Sequence, residues 1–272
     1  MQAANGSASA LGDVRVLDLT GEEGAYATKL LADLGADVIR VEPPAGDPLR
    51  RRGPFVHDIP GPERGLLHLF LNTSKRGITL NLESADGRDL FRRLVETADV
   101  LVETCAAGYL SSLGLSYEDL CRVRPDLIAT SITGFGQTGP HAAWRSCDLV
   151  AVAMSGILTL SGFIDRPPYR PVASQAFYSG GIEGAIGTLM ALTHRDLTGE
   201  GQQVDFSVSA CLFQAGEFAT MRSSVRSRLA PPIFFGSFPA KHCLNMQTFA
   251  LKSRPLSLGF APGLQKFSQA NQ

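Results

Sequence analysis

The first half of the chain alternates short apolar runs with segments in which apolar residues recur at helical spacing. The runs predict β-strands, which we place at Val14–Leu19, Asp37–Glu42, Ile78–Leu82, Val100–Glu103 and Leu127–Ile132. The helical spacing predicts helices at Ala25–Leu34, at 86–98 behind the capping residue Ser84, and at Tyr117–Val123. Strands separated by single helices are typical of a parallel sheet covered on both faces, so we predict an α/β fold. Ligands of such sheets bind at the rim formed by the carboxyl ends of the strands.

The second half of the chain has fewer and longer elements. Ser179–Arg195 predicts a helix rich in small residues, and Gln203–Val208 predicts a strand. Glycines weaken a helix, so those inside the first segment are expected to pack closely against another backbone. Residues 45–68 are rich in Gly, Pro and Arg and predict a long loop. After about Phe218 the apolar residues no longer recur at helix or strand spacing.

Composition and charge divide the chain into three parts. Its 272 residues are 44% hydrophobic and 19% charged, which is enough to bury a substantial core. Residues 218–272 contain seven Lys or Arg and no Asp or Glu, whereas acids exceed bases before them. We therefore predict a loose N-terminus at 1–10, a domain at 11–217, and a divergent basic tail at 218–272, with disorder of the tail as one alternative. No recognition motif accompanies the basic tail, so we expect no nucleic-acid partner.

Nothing in the sequence predicts a membrane or a metal site. The longest apolar stretch, Leu149–Leu160, is too short to span a bilayer, and the N-terminus lacks the basic and apolar regions of a secretory signal. The five cysteines are odd in number and far apart, which favours reduced thiols, and the five histidines do not cluster. We expect a cytoplasmic protein, with the mitochondrial matrix or peroxisome as alternatives, and neither a metal nor a membrane partner.

Two glycine-containing turns, one after the first strand and one at 134–139, are candidates for a nucleotide-binding site. The first strand–helix–strand unit ends in Glu42, as in dinucleotide sites, but its glycine spacing does not match GxGxxG, and Glu22 and Glu23 would oppose a pyrophosphate. Residues 134–139 do spell GxGxxG, yet a polar segment follows them, which favours a tight turn that needs glycine. A nucleotide- or S-adenosylmethionine-dependent Rossmann enzyme remains an alternative.

Basic residues gather in two places, Arg50–Arg52 and Lys75–Arg76. Such a charge run is either a solvated face or a surface that recognises phosphates or carboxylates at the rim.

Six long segments carry a more specific signal. They are LGDVRVLDLT, LLADLGADVIRVEPPAGDPLR, NTSKRGITLNLES, DVLVETCAAGYLSSLGLSYEDL, RPDLIATSITGFGQTGP and GTLMALTHRDLTGEGQQVDFSV. Together, from about residue 11 to 217, they resemble the large domain of the family III, CaiB/BaiF-type coenzyme A (CoA) transferases. The resemblance implies a Rossmann-like sheet with helices on both faces. Family members are longer, so we expect a truncated chain in which the small domain is largely missing.

The resemblance also implies a reaction. Family members transfer CoA between carboxylic acids through an enzyme-acyl anhydride and an enzyme-CoA thioester, which is covalent catalysis. CoA or acyl-CoA is then a substrate, and no permanently bound cofactor is expected. The implied partners are acyl-CoA, a carboxylic acid and a second chain, interlocked with the first as a homodimer or heterodimer.

One departure from the family concerns the nucleophile. The aspartate of the family falls at Phe177, both by counting back four residues from Gly181 and by counting from the PPYRP segment. A phenyl ring has no nucleophilic atom, and Gln175, Tyr178 and Ser179 are poor substitutes. The His–Asp pair of the related racemases would fall at Cys147 and Phe177, which argues against racemase chemistry. We therefore identify no catalytic residue and expect little independent activity; a non-catalytic subunit that binds acyl-CoA or pairs with an active chain is the alternative.

The resemblance further implies which residues face CoA: Lys75, Arg76, Leu80, Asn81, Leu82, Glu83, Thr104, Cys105 and Ala106. Thr104–Ala107 stands where the family usually has Asn-Phe-Arg-Pro, so one basic contact with CoA is lost.

Overall fold

A computed structural model of the protein describes residues 9–161 and 166–215. Its centre is a six-stranded parallel sheet with the strand order β3-β2-β1-β4-β5-β6. The strands are β1 (Arg15–Leu19), β2 (Asp37–Glu42), β3 (Arg76–Thr79), β4 (Val100–Glu103), β5 (Ile128–Thr133) and β6 (Gln203–Ser207). Most of the predicted loose N-terminus, the predicted domain end at 217 and the predicted basic tail lie outside the described residues.

Helices cover both faces of the sheet, which confirms the predicted α/β fold. They are α1 (Ala25–Asp33), α2 (Leu66–Leu71), α3 (Ala85–Val95), α4 (Tyr109–Ser112), α5 (Tyr117–Val123), α6 (Asp148–Met154), α7 (Gln175–Thr198) and α8 (Val208–Ala215). Helices α1, α6, α7 and α8 share one hydrophobic core with the sheet, whereas α3 and α5 share a second core with its other face.

Successive residues of a strand belong alternately to the two hydrophobic cores. Val16 and Val100 belong to the core under α7, whereas Leu17 and Leu101, the next residue on each strand, belong to the core under α3. All six residues of β5 are buried. Successive side chains of a strand point to opposite faces, so a strand covered on both sides is mostly apolar, although β5 also buries Thr130 and Ser131. This is why the sequence shows apolar runs instead of alternation.

The elements differ from the predicted ones where local signals were weak. Strand β3 spans Arg76–Thr79 instead of Ile78–Leu82, because its ladder with β2 begins at Arg76 opposite Ile39. Helix α2 begins at Leu66, within the segment 45–68 that Gly and Pro predicted to be a loop, and continues past its end to Leu71. The predicted cap of α3 is confirmed, since Ser84 Oγ accepts a hydrogen bond from the amide of Gly87 at 3.1 Å.

The glycines of α7 pack closely, but mostly against side chains instead of the backbone that was predicted. A Cβ atom on Gly181 would lie 3.0 Å from Cβ of Tyr26 on α1. On Gly184 and Gly187 it would lie 2.4 Å from side-chain atoms of Ile132 and Phe206 respectively. The small residues therefore let α7 approach both α1 and the sheet, which fixes the position of its N-terminus at the rim.

Replacing Gly187 with alanine is expected to lower the free energy of unfolding by about 1–3 kcal/mol, because the new methyl group overpacks the contact with Phe206. Urea denaturation followed by circular dichroism measures the change. Met190→Ala is the matched control, since Met190 lies on the same helix and is 60% exposed. A Gly187→Ala variant no less stable than this control would contradict the packing argument.

Neither a membrane-spanning helix nor a metal-ligand cluster occurs in the described part of the chain. None of its helices is both long and apolar enough to cross a bilayer. No group of three or more His, Cys, Asp or Glu side chains there is arranged to hold a metal ion.

Candidate functional site

The strand order reverses between β1 and β4, and open parallel sheets bind their ligands at such a switch point. The turn at 20–24 leaves β1, and the loop at 103–108 leaves β4. The amide of Gly21 donates a hydrogen bond to Oγ1 of Thr104 at 2.7 Å, and a Cβ atom on Gly24 would lie 2.6 Å from Cγ2 of Thr104. Thr104 therefore joins the two loops at the switch point of the sheet. We use the name switch crevice for the rim that the turn at 20–24 and the loop at 103–108 form there.

A buried ionic cluster lies next to the switch crevice. Asp18 on β1 is fully buried and accepts hydrogen bonds from Thr28 Oγ1 at 2.8 Å, Lys75 Nζ at 2.9 Å and Arg40 Nη1 at 3.2 Å. Burial by itself would raise the pKa of Asp18, but the cations of Lys75 and Arg40 hold that pKa well below its usual range. The cluster ties β1 to β2 and to the segment that precedes β3.

A second group of ions continues from this cluster along the loop after β2. Arg40 also contacts Asp47. Glu42 accepts hydrogen bonds from Arg50 Nε at 2.7 Å, Arg50 Nη2 at 2.8 Å and the amide of Asp47 at 3.0 Å. Both carboxylate oxygens of Glu42 thus bond to the protein, and its proposed role in a ribose site is not favoured.

The first turn of α7 reaches the switch crevice through polar contacts. Ser174, just before α7, donates from Oγ to Oε1 of Glu22 at 2.7 Å, and Glu22 also pairs with Arg52. Asp148 accepts a hydrogen bond from the amide of Ala176 at 2.8 Å. The contact of Ser174 holds the start of α7 against the turn that follows β1, and the contact of Asp148 holds it against α6.

Phe177 lies in this first turn, and its side chain points into the protein. It is 6% exposed and belongs to the same core as Val208 and Leu212. Its amide donates to the carbonyl of Ser174 at 3.1 Å. The residue therefore acts as a packing residue at the rim, and it offers no atom for acyl transfer.

Glu23 is a carboxylate of unusual proton affinity in the turn after β1. Burial, with a contribution from the neighbouring charge of Glu22, raises the pKa of Glu23 to about 7. In the described part of the chain its carboxylate makes no hydrogen bond or ion pair. Glu23 therefore titrates near neutral pH beside the start of α7.

A buried carboxylate also supports the loop after β4. Glu103 accepts hydrogen bonds from the amide of Cys105 at 2.5 Å and from Gln137 Nε2 at 3.2 Å. Burial raises the pKa of Glu103, and burial followed by the charge of Glu103 raises the pKa of the Cys105 thiol. Cys105 therefore stays protonated, which argues against a thiolate nucleophile here. Gly136 has a φ of +85°, so the 134–139 segment forms the predicted tight turn.

The residues that the resemblance assigns to CoA lie in separate environments. Thr104, Cys105 and Ala106 lie at the switch crevice. Leu80 and Leu82 pack beside the core under α3. Leu110, which follows the 104–106 segment, packs against the same core as Leu80 and Leu82.

The two basic residues in that assignment differ from one another. The side chain of Lys75 is 1% exposed, and its ammonium group bonds to Asp18, Thr28 and Asn72. Arg76 is 63% exposed and pairs with Asp37. Contact between these side chains and CoA stays a prediction, and the geometry favours Arg76 over Lys75 for a direct contact.

Sequence reasoning missed the buried ions at this rim. Asp18 and Arg40 were treated as members of apolar strands, although a charge within a buried strand is itself a signal of a paired site. The pairing of Asp18 with Lys75 joins positions 57 residues apart, which no local pattern reveals.

Comparison with known proteins identifies the family to which this chain belongs. The subunit BbsE of succinyl-CoA:(R)-benzylsuccinate CoA-transferase from Thauera aromatica is 45% identical over 216 residues, covering 78% of this chain and 53% of that protein. The succinyl-CoA:mesaconate CoA-transferase of Haloarcula marismortui is 42% identical over 72% of this chain and 51% of its own length.

A solved structure agrees with this relationship. The CaiB/BaiF family protein of Brucella suis is 36% identical and superposes with a TM-score of 0.75, covering 82% of this chain and 59% of that chain. The chain thus spans between half and three fifths of the length of these relatives. The model of CoA-transferase family III matches residues 11–242. The chain therefore belongs to CoA-transferase family III.

Proposed function

We propose that this chain takes part in the transfer of CoA between carboxylic acids, with acyl-CoA bound at the switch crevice. The family match over residues 11–242 carries the proposal. The crevice supports it, because Thr104 joins the loops after β1 and β4 at the place where parallel sheets bind ligands. CoA is a substrate in this proposal and is not a resident cofactor.

The chemistry of the family requires a carboxylate. A carboxylate oxygen attacks the thioester carbonyl, the C–S bond breaks, and CoA leaves as the thiolate. The thiolate then attacks the enzyme carbonyl of the anhydride, which releases the first acid and leaves CoA on the enzyme. The second acid takes up CoA by the same steps in reverse.

We propose that Phe177 occupies the position of this carboxylate, so the chain by itself has little or no transfer activity. An active assembly then needs an aspartate from another chain. The relative from Thauera aromatica is named as a subunit, which supports a heterodimeric arrangement for this chain. A homodimer of this sequence would lack the nucleophile at both positions.

The acids are proposed to be dicarboxylic. The transferases named above act on succinyl-CoA together with benzylsuccinate or mesaconate, and each of these acids carries two carboxylates. Such an acid keeps a free carboxylate while its other one forms the thioester, and a guanidinium group is suited to recognise it. Arg52, with its side chain 50% exposed at the crevice, is the proposed cation.

Replacing Phe177 with aspartate tests the proposal. Wild-type chain is expected to bind CoA in calorimetric titration and to exchange labelled succinate into succinyl-CoA only at background rate. The Phe177→Asp variant is expected to gain exchange. The Phe177→Asn variant is expected to show no exchange, because asparagine is similar in size to aspartate but cannot form the anhydride. Because position 177 is buried, circular dichroism first establishes that both variants are folded at the assay temperature.

Two results would contradict the proposed function. One is failure of the folded wild-type chain to bind CoA. The other is exchange by the wild-type chain at a rate equal to that of the aspartate variant, which would show that position 177 does not hold the nucleophile.

A further inference from the structure

Three aromatic rings from separate helices meet beside the switch crevice. Tyr26 of α1 and Tyr178 of α7 have ring centroids 5.0 Å apart at an angle of 82°. Phe70 of α2 lies 6.3 Å from Tyr26 and 6.5 Å from Tyr178. We call these three residues the aromatic cluster. Phe70 is 46% exposed, so the cluster presents ring surface at the outside of the described part of the chain.

The aromatic cluster borders the place where acyl transfer is proposed. Tyr178 directly follows Phe177 in the first turn of α7, and Tyr26 lies in the first turn of α1, three residues after Glu23. Two of the three rings, those of Tyr26 and Tyr178, therefore stand on the helices that start at the switch crevice, and the third, that of Phe70, stands on α2. A side chain of an acid bound with its carboxylate near position 177 would meet them.

Positive charge borders the cluster on two sides. Lys29 Nζ lies 5.3 Å from the centroid of the Phe70 ring. The amide of Tyr178 donates a hydrogen bond to the carbonyl of Ser174 at 3.1 Å, and Ser174 Oγ donates to Glu22, which pairs with Arg52. The helix turn that carries Tyr178 therefore lies beside the Glu22–Arg52 ion pair. Exposed ring surface next to a half-exposed guanidinium group offers both an apolar and an anionic contact.

We propose that the aromatic cluster binds the aryl group of an aryl-substituted dicarboxylic acid, while Arg52 binds its free carboxylate. The proposal rests on the proposed function and deepens it by naming the class of acid. An added aryl ring can pack edge-to-face against the exposed ring of Phe70, as Tyr178 already does with Tyr26 and Phe70. An unsubstituted acid such as succinate would use Arg52 and leave Phe70 uncovered.

Calorimetric titration of the full chain with phenylsuccinate and with succinate tests this class. We expect phenylsuccinate to bind about tenfold more tightly, the gain from one well-placed aromatic contact. Tyr178→Leu and Phe70→Leu, which keep apolar volume but remove a ring, are each expected to abolish most of that ratio. Leu66→Ala is the matched control, because Leu66 is 45% exposed on α2 but lies outside the cluster. Arg52→Gln is expected to weaken both acids by the same factor.

The outcomes separate this inference from the proposed function. Equal affinity for the two acids, no binding of phenylsuccinate, or loss of both acids alike in the Tyr178 and Phe70 variants would overturn the aryl site. Covering of the rings by another protein chain instead of a substrate would give the first or second of these results. A separate titration with CoA reports on the proposed function: a chain that prefers phenylsuccinate but does not bind CoA keeps the aryl site and loses the transferase assignment.

Discussion

Replacing Lys75 with methionine is expected to lower the free energy of unfolding by about 3–5 kcal/mol, because it leaves the fully buried carboxylate of Asp18 without its closest cation. Arg40 would remain, but at 3.2 Å through one nitrogen, compared with 2.9 Å for Lys75 Nζ. Methionine fills a volume close to that of the lysine stem, so the change reports on charge more than on packing. Urea denaturation at pH 7 measures the loss.

Arg76→Met is the control for this prediction, since the two basic residues are neighbours in sequence. The side chain of Arg76 is 63% exposed, and an exposed pair such as Arg76–Asp37 contributes less than about 1 kcal/mol. The same two variants also test the CoA contacts. A Lys75→Met variant that is as stable as wild type but binds CoA weakly would contradict the structural role of Lys75 and support the contact that the resemblance implies.

The sheet could be predicted because its strands are buried on both faces. A run such as Val100–Val102 is apolar on both faces, and the helices between the runs set the strands parallel. Helix α2 could not be predicted, because six residues between Gly and Pro segments carry too little helical period. Its place is set by tertiary contacts of Leu71 with Leu49 and Ala25.

The candidate site was predictable in part. The resemblance placed Thr104 at the rim and Phe177 at the nucleophile position, since both are counted along the chain. The direction of the Phe177 side chain depends on α8, which closes the core with Val208 and Leu212. The aromatic cluster was beyond sequence reasoning for a similar reason: Tyr26, Phe70 and Tyr178 lie on three helices that meet only in the fold.

The glycines of α7 connect this packing to function. They allow α7 to lie close to α1, and both helices begin at the switch crevice. The contact of Ser174 with Glu22 then sets the distance between the two helix starts. In the proposed function, the absence of an aspartate at position 177 would leave this frame in place, so the crevice would keep its shape for binding without its nucleophile.

Replacing Glu23 with glutamine is expected to stabilise the protein by about 1–3 kcal/mol at pH 8 and to have little effect at pH 4. Burial raises the pKa of Glu23 from its ordinary value of 4.5 to about 7 in the folded chain. Between these values the folded state holds a proton that the unfolded state has lost, so the stability of the wild type falls as pH rises through this window and levels off above pH 7. Glutamine cannot ionise, so the variant lacks this part of the pH dependence.

Urea denaturation at unit steps from pH 4 to pH 8 measures the effect as the difference between variant and wild type, in which the titration of other groups largely cancels. Glu22→Gln is the control. It removes the contact with Ser174 and the ion pair with Arg52, so it is not expected to stabilise the protein at pH 8 as Glu23→Gln does. Parallel profiles for wild type and Glu23→Gln would contradict the raised pKa. A Glu23→Gln variant that is more stable but binds acyl-CoA less tightly would indicate that the Glu23 carboxylate serves acyl-CoA binding at a cost in stability.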